Sequence, residues 1–96
     1  MRKSNTQTIN EMVDSFFKHW GLDRKRKEMR IINQWDEIVG LTISRVTTNI
    51  YINKEILFLQ INSSLVRNEL LMIKSGLIDK INRMSGEEII KDIVIR

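Results

Sequence analysis

The chain has 96 residues, no cysteine and a formal net charge of +4. This length suits one domain with one small core, and without cysteine neither a disulfide nor a thiolate metal site can form. The N-terminus lacks the apolar block of a secretory signal, and the longest apolar run, Leu70 to Ile73, is too short to cross a bilayer. We therefore expect a cytoplasmic protein with a single domain over residues 1–96, residues 1–5 being disordered.

The positive charge is concentrated in the first third of the chain. Residues 1–30 contain eight Lys or Arg and four Asp or Glu, whereas residues 31–96 contain eight of each. The densest part, called the basic run below, consists of Arg24, Lys25, Arg26 and Lys27, with Arg30 one helical turn after Arg26. Such a cluster favours an anionic partner such as nucleic acid, although a solvated helix face explains it equally well. Cations in the first turns of a helix oppose its dipole and so reduce its stability. Because this cost brings no evident structural benefit, it favours a functional role for the run.

Two amphipathic helices are predicted before residue 41. In the first, apolar residues recur at three- and four-residue spacing up to Trp20, and Gly21 is placed to end the helix. We expect its aromatic residues Phe16, Phe17 and Trp20 to pack in the core, with a partner-binding strip as the alternative. The second helix is predicted from Asp23 to Val39, with a buried stripe formed by Met29, Ile32, Trp35 and Val39.

The remaining residues predict the order strand, strand, helix, strand. Alternating apolar residues in 46–52 and 57–61, separated by Asn53, Lys54 and Glu55, predict an antiparallel hairpin. Ser63 or Ser64 begins a helix with Gly76 near its middle, which we interpret as close approach to another backbone. The stripe of that helix is Val66, Leu70, Ile73, Leu77, Ile81 and Met84. The last apolar run, residues 89–95, predicts a strand inside the sheet or buried on both faces.

Residues suited to catalysis are sparse. His19, the single histidine, falls in the last turn of a predicted helix, where a cationic ring is favourable. Adjacent pairs such as Asp36-Glu37 and Glu87-Glu88 point to different faces, and the glycines are too scattered for a phosphate-binding loop. We therefore expect no enzyme activity, cofactor or small-molecule substrate. The missing G-x-x-G loop also argues against an ordinary KH-type RNA clamp.

Four short motifs follow one another in a recognisable order. They are Trp35-Asp36-Glu37-Ile38-Val39-Gly40, Ile43-Ser44 with Thr47, Ile56-Leu57-Phe58-Leu59, and Ser63-Ser64 with Glu69-Leu70. In this order the chain resembles the DciA-like family over residues 9–96. It departs from the family pattern at Val46, where many members have histidine, and at Val66, where many have tryptophan. Many members also carry a disordered tail, whose role we expect to be absent or supplied elsewhere, because this sequence stops at Arg96.

The resemblance implies an α+β, KH-like domain, with a three-stranded sheet and helices packed on one face. It also implies a non-catalytic adaptor that assists loading or activity of a DnaB-type replicative helicase on single-stranded or forked DNA. Within that hypothesis, the residues expected to contact DNA phosphates are Arg24, Lys25, Arg26, Lys27 and Arg30, helped by Arg2 and Lys3. Two alternatives remain open: a KH-like, ribosome-associated RNA-binding module, and a domain that binds only proteins.

Overall fold

The computed structural model describes the backbone of residues 4–96 and the side chains of residues 8–96. Six helices and three strands make up this part of the chain. They are α1 (Ser4–His19), α2 (Asp23–Asn33), α3 (Trp35–Val39), α4 (Leu41–Arg45), β1 (Thr47–Asn53), β2 (Ile56–Ile61), α5 (Ser64–Met72), α6 (Lys74–Ser85) and β3 (Asp92–Ile95). None of the described helices is long and apolar enough to cross a membrane.

The three strands form one mixed sheet in the order β1-β2-β3. β1 and β2 pair antiparallel as the predicted hairpin, and β2 and β3 pair parallel. Parallel neighbours require a long crossover, which α5 and α6 supply. The predicted α+β class and three-stranded sheet are therefore confirmed, although six helices replace the three that were predicted. The last strand, however, lies at an edge of the sheet, so its predicted inner position is wrong.

The core lies between one face of the sheet and the helices. Because side chains alternate along a strand, Leu57, Leu59 and Ile61 of β2 all point to this side, where each is at most 2% exposed. Residues of α2, α3, α5, α6 and the segment before β3 complete the cluster: Ile31, Trp35, Ile38, Val66, Leu70, Leu77, Ile81, Ile89 and Ile90, with Ile52 and Ile93 from the outer strands.

Both long helices predicted after Gly21 are interrupted. The helix expected over 23–39 breaks at Gln34, and the one expected over 64–84 breaks at Ile73, where the backbone has φ −105° and ψ 11°. In the second of these helices Ile73 and Met84 are about half exposed, whereas the other members of its predicted stripe are buried. In the first, Met29 was predicted to be buried but is 51% exposed. Gly76 needs no close approach, because a Cβ built there meets nothing within 4 Å. That prediction was wrong.

The predicted core packing of α1 is also wrong. Its apolar strip, defined as Ile9, Met12, Val13, Phe16 and Trp20, is 38% to 65% exposed. α1 meets α2 on a neighbouring side, where the Arg26 guanidinium lies 5.0 Å from the centre of the half-buried Phe17 ring. The described chain is correspondingly elongated, with principal extents of 54 × 25 × 20 Å.

Candidate nucleic-acid interface

The first residue of the basic run, Arg24, is held by acceptors in other parts of the fold. Its guanidinium lies 3.5 Å from the carboxylates of both Glu55 and Glu87. The same group donates hydrogen bonds of 3.1 and 2.9 Å to the backbone carbonyls of Glu88 and Ile89. Arg24 therefore attaches the start of α2 to the hairpin turn and to the connector, residues 86–91, that precedes β3.

The other three cations of the run are also ion-paired. Lys27 pairs with Glu87, Arg26 with Asp14 of α1, and Lys25 with Glu28 at 3.7 Å. The hydrogen bond from Lys27 holds the pKa of Glu87 below its usual value, and that from Arg26 does the same for the pKa of Asp14. The helix start is thus a network of opposite charges, in which carboxylates neutralise much of the positive field.

The predicted site residues are therefore not equally available to an anion. Lys25 keeps 63% of its side chain exposed, and its partner Glu28 lies one turn away on the same helix. Arg30 is exposed, and the ion pairs found within residues 8–96 do not include it. Arg2 and Lys3 lie outside the described residues. The fold thus brings Lys25 and Arg30 forward as the more accessible members of the set, and their DNA contacts stay a prediction.

The residues that carry the family motif have structural roles. The Trp35 indole nitrogen donates to the Thr47 hydroxyl at 3.1 Å, and that hydroxyl donates to the Ile43 carbonyl at 2.8 Å. This chain of hydrogen bonds joins α3, α4 and β1. Ser63 caps α5 by accepting from the Val66 amide at 3.2 Å, as the sequence predicted. These motif residues thus belong to the framework of the domain.

The two departures from the family pattern fall at packed positions. Val66 is 7% exposed in the core, and Val46 packs against the core from the end of α4. A larger aromatic residue at either position would change packing before it changed a surface.

Among the described residues, no group of three or more His, Cys, Asp or Glu side chains is placed to hold a metal ion.

Sequence reasoning overlooked the outward face of the hairpin. The same alternation that assigns Leu57 and Leu59 to the core places Phe58 on the opposite face, directly across from Tyr51 of β1. Their rings stack with centroids 4.7 Å apart, beside a pocket of about 160 Å³. The sequence feature that could have revealed this face is an aromatic residue at the outward position of each of the two paired strands.

Comparison with known proteins gives one family. A family model described as "Dna[CI] antecedent, DciA" matches residues 7–95. No curated protein and no solved structure gives a significant match to the chain. The match spans nearly the whole sequence and includes every motif on which the resemblance was based. The chain therefore belongs to the DciA family, which is associated with loading of the DnaB helicase.

Proposed function

We propose that this chain is a non-catalytic, KH-like adaptor that binds DNA and a DnaB-type replicative helicase and assists loading or activity of that helicase. The observation that carries the proposal is the family match over residues 7–95. The absence of a catalytic constellation in the sequence and the concentration of positive charge in residues 1–30 agree with a role in holding other molecules together.

The DNA contact of this proposal is centred on the exposed side of α2. A phosphate that approaches Arg24, Arg26 or Lys27 must compete with a carboxylate already in place. Lys25 and Arg30 face less competition, so we expect them to contribute more to DNA affinity than Arg24 does. Each phosphate contact that is lost should reduce the slope of log K against log salt by about 0.7 to 0.9.

Fluorescence anisotropy with single-stranded and forked DNA tests this contact. The double variant Lys25→Glu/Arg30→Glu should bind more weakly than wild type and with a shallower salt dependence. Arg45→Glu, in α4, makes the same kind of charge change outside the basic run and serves as the control. If the double variant keeps wild-type affinity and salt slope, DNA does not bind at α2. Tighter binding to RNA of the same sequence would favour the RNA-binding alternative.

The helicase contact of the proposal is the apolar strip of α1. Contiguous exposed apolar surface on a small domain usually marks a protein interface, and aromatic residues are enriched at such contacts. Phe16 and Trp20 are 54% and 64% exposed, with ring centroids 6.4 Å apart. The strip also lies away from the cations of α2, since Arg26 pairs with the side of α1 that carries Asp14 and Phe17.

A pull-down with the cognate replicative helicase tests the strip separately from DNA binding. Phe16→Ser/Trp20→Ser should lose most helicase binding while DNA affinity stays unchanged. Leu65→Ser removes an equally exposed apolar side chain from α5 and should leave both unchanged. Helicase capture by the double variant at the wild-type level would show that α1 is not the contact.

A further inference from the structure

The side of the sheet that faces away from the core forms a groove of its own. A pocket of about 160 Å³ is lined by residues of all three strands together with Arg96, among them Asn49, Tyr51, Phe58, Gln60 and Val94. We call this surface the open face. A second depression, of about 310 Å³, shares Gln60 and Arg96 with the first and extends to Thr48, Asn62 and Arg67. The two depressions together run from an aromatic end to a cationic end.

At the aromatic end the Tyr51 ring is exposed, and the half-buried Phe58 ring is contacted by Tyr51 and by Arg96. Tyr51 and Phe58 are paired across β1 and β2, and their ring planes lie within 10° of each other. Tyr51 lies on the outward face of the edge strand β1 and is 44% exposed. The Arg96 guanidinium lies 6.0 Å from the centre of the Phe58 ring, which continues the row of flat groups across the sheet. Flat aromatic rings of this kind are platforms on which nucleobases stack.

The cationic end differs from the basic run in its charge balance. Within residues 8–96, the ion pairs do not include Arg67 or Arg96, whereas the four consecutive cations of residues 24–27 each have a carboxylate partner. Arg67 donates from Nη1 to the Ile61 carbonyl at 2.6 Å, a bond that holds its guanidinium at the end of β2. One such bond uses one of five N–H donors, so the group can still contact a phosphate.

We propose that the open face binds single-stranded DNA, with a base stacked on the Tyr51–Phe58 pair and neighbouring phosphates held by Arg67 and Arg96. The inference rests on the proposed DNA-binding role and assigns it a second, separate surface. An unpaired strand is required because in a duplex the ring faces of the bases are already stacked on each other. Side-chain amides of Asn49 and Gln60 beside the rings can bond to base edges, but the stacking itself tolerates any base.

The test is fluorescence anisotropy with labelled oligodeoxythymidylate and with an abasic oligonucleotide of the same length. Tyr51→Ala lies on an exposed edge position and should lower affinity for the thymidylate strand by about 5- to 150-fold, the range that corresponds to loss of a base–aromatic stack. Tyr51→Phe should bind like wild type, because the ring is retained. Leu71→Ala removes an apolar side chain of similar exposure (54%) from α5 and should have no effect. For wild type, the abasic strand should bind more weakly than the thymidylate strand by a similar factor.

Arg96→Ala separates phosphate binding from stacking. The backbone of Arg96 already pairs with Leu59 and Ile61 through hydrogen bonds that the substitution leaves in place. For Arg96→Ala, the slope of log K against log salt should be shallower than that of wild type by about 0.7, the value expected for one phosphate contact on a single strand. Unchanged affinity in both Tyr51→Ala and Arg96→Ala would overturn the open-face site.

The outcomes distinguish the open face from the wider proposal. If wild type binds the thymidylate strand and only Lys25→Glu/Arg30→Glu weakens binding, the DNA-binding role stands and the open face fails. If wild type binds no DNA at any salt concentration, both fail. Tighter binding to oligouridylate than to oligothymidylate would overturn the assignment to DNA and favour an RNA ligand.

Discussion

Asn82 of α6 holds the connector between α6 and β3, and its replacement should destabilise the whole domain. The side-chain oxygen accepts hydrogen bonds from the Ile89 and Ile90 amides at 2.9 and 3.0 Å. The side-chain nitrogen donates to the Ile90 carbonyl at 2.8 Å. Ile89 and Ile90 are fully buried and lie outside any strand, so Asn82 supplies the partners that a sheet would otherwise provide.

The size of the effect follows from these three bonds. A hydrogen bond contributes about 0.5 to 1.5 kcal/mol, so Asn82→Ala should lose about 3 kcal/mol in all. The better helix propensity of alanine returns about 0.5 kcal/mol. A net loss of about 2 to 3 kcal/mol should lower the melting temperature by about 10 to 20 °C for a domain of this size. Asn82→Asp keeps the two acceptor bonds and should fall between wild type and Asn82→Ala.

Urea unfolding followed by circular dichroism measures the loss directly. The midpoint for Asn82→Ala should fall by about 1 to 2 M, given ordinary denaturant slopes for small proteins. Asn68→Ala makes the same substitution at an exposed position of α5 and should leave stability unchanged or slightly raised. A loss below about 0.5 kcal/mol for Asn82→Ala would show that water or a rearranged connector satisfies these backbone groups equally well.

Three further predictions concern the backbone and the ion pairs. Gly76→Ala should raise the free energy of unfolding by up to about 1 kcal/mol, because the site is helical and open; lower stability in thermal unfolding would contradict this. Gly40→Ala should cost about 1 to 3 kcal/mol in the same measurement, because φ +89° and ψ 164° suit only glycine; unchanged stability would refute that strain. Glu87→Gln should lose stability at about pH 7, because Lys27 lowers the pKa of Glu87 and this contribution is fully present above the ordinary value of 4.5. The loss should shrink as the pH falls through the lowered pKa. If the difference in free energy of unfolding between wild type and Glu87→Gln did not change with pH, that ion pair would be ruled out.

Sequence patterns predicted the elements whose signal is local. The hairpin, the Ser63 cap and the alternation that buries Leu57 and Leu59 depend on neighbouring residues, and all three are present. The breaks at Gln34 and Ile73 were not predicted, since neither residue is a glycine or proline, the residues that usually signal a break.

Long-range contacts explain the remaining differences. An amphipathic pattern indicates that α1 has an apolar face but not what covers it, so Phe16 and Trp20 could not be distinguished from core residues. The burial of Ile89 and Ile90 outside a strand depends on Asn82, which gives no sequence signal. Likewise, the carboxylates that neutralise the basic run come from Asp14, Glu55 and Glu87, which are distant in sequence from Arg24.

Open-face binding and α2 binding predict different responses to DNA structure. Stacking requires unpaired bases, whereas phosphate contacts at α2 are available to single and double strands alike. A forked substrate presents both forms side by side. An adaptor with two such surfaces would therefore prefer the junction of a fork to either a blunt duplex or a single strand.

Helicase loading onto a circular single strand annealed to a labelled oligonucleotide is the most direct test of the adaptor role, since a closed circle cannot be threaded through a helicase ring from an end. With the cognate replicative helicase and ATP, this protein should increase oligonucleotide displacement, and Phe16→Ser/Trp20→Ser should abolish the increase. Displacement that is the same with and without the protein, together with no complex between the protein and the helicase, would contradict the proposed function.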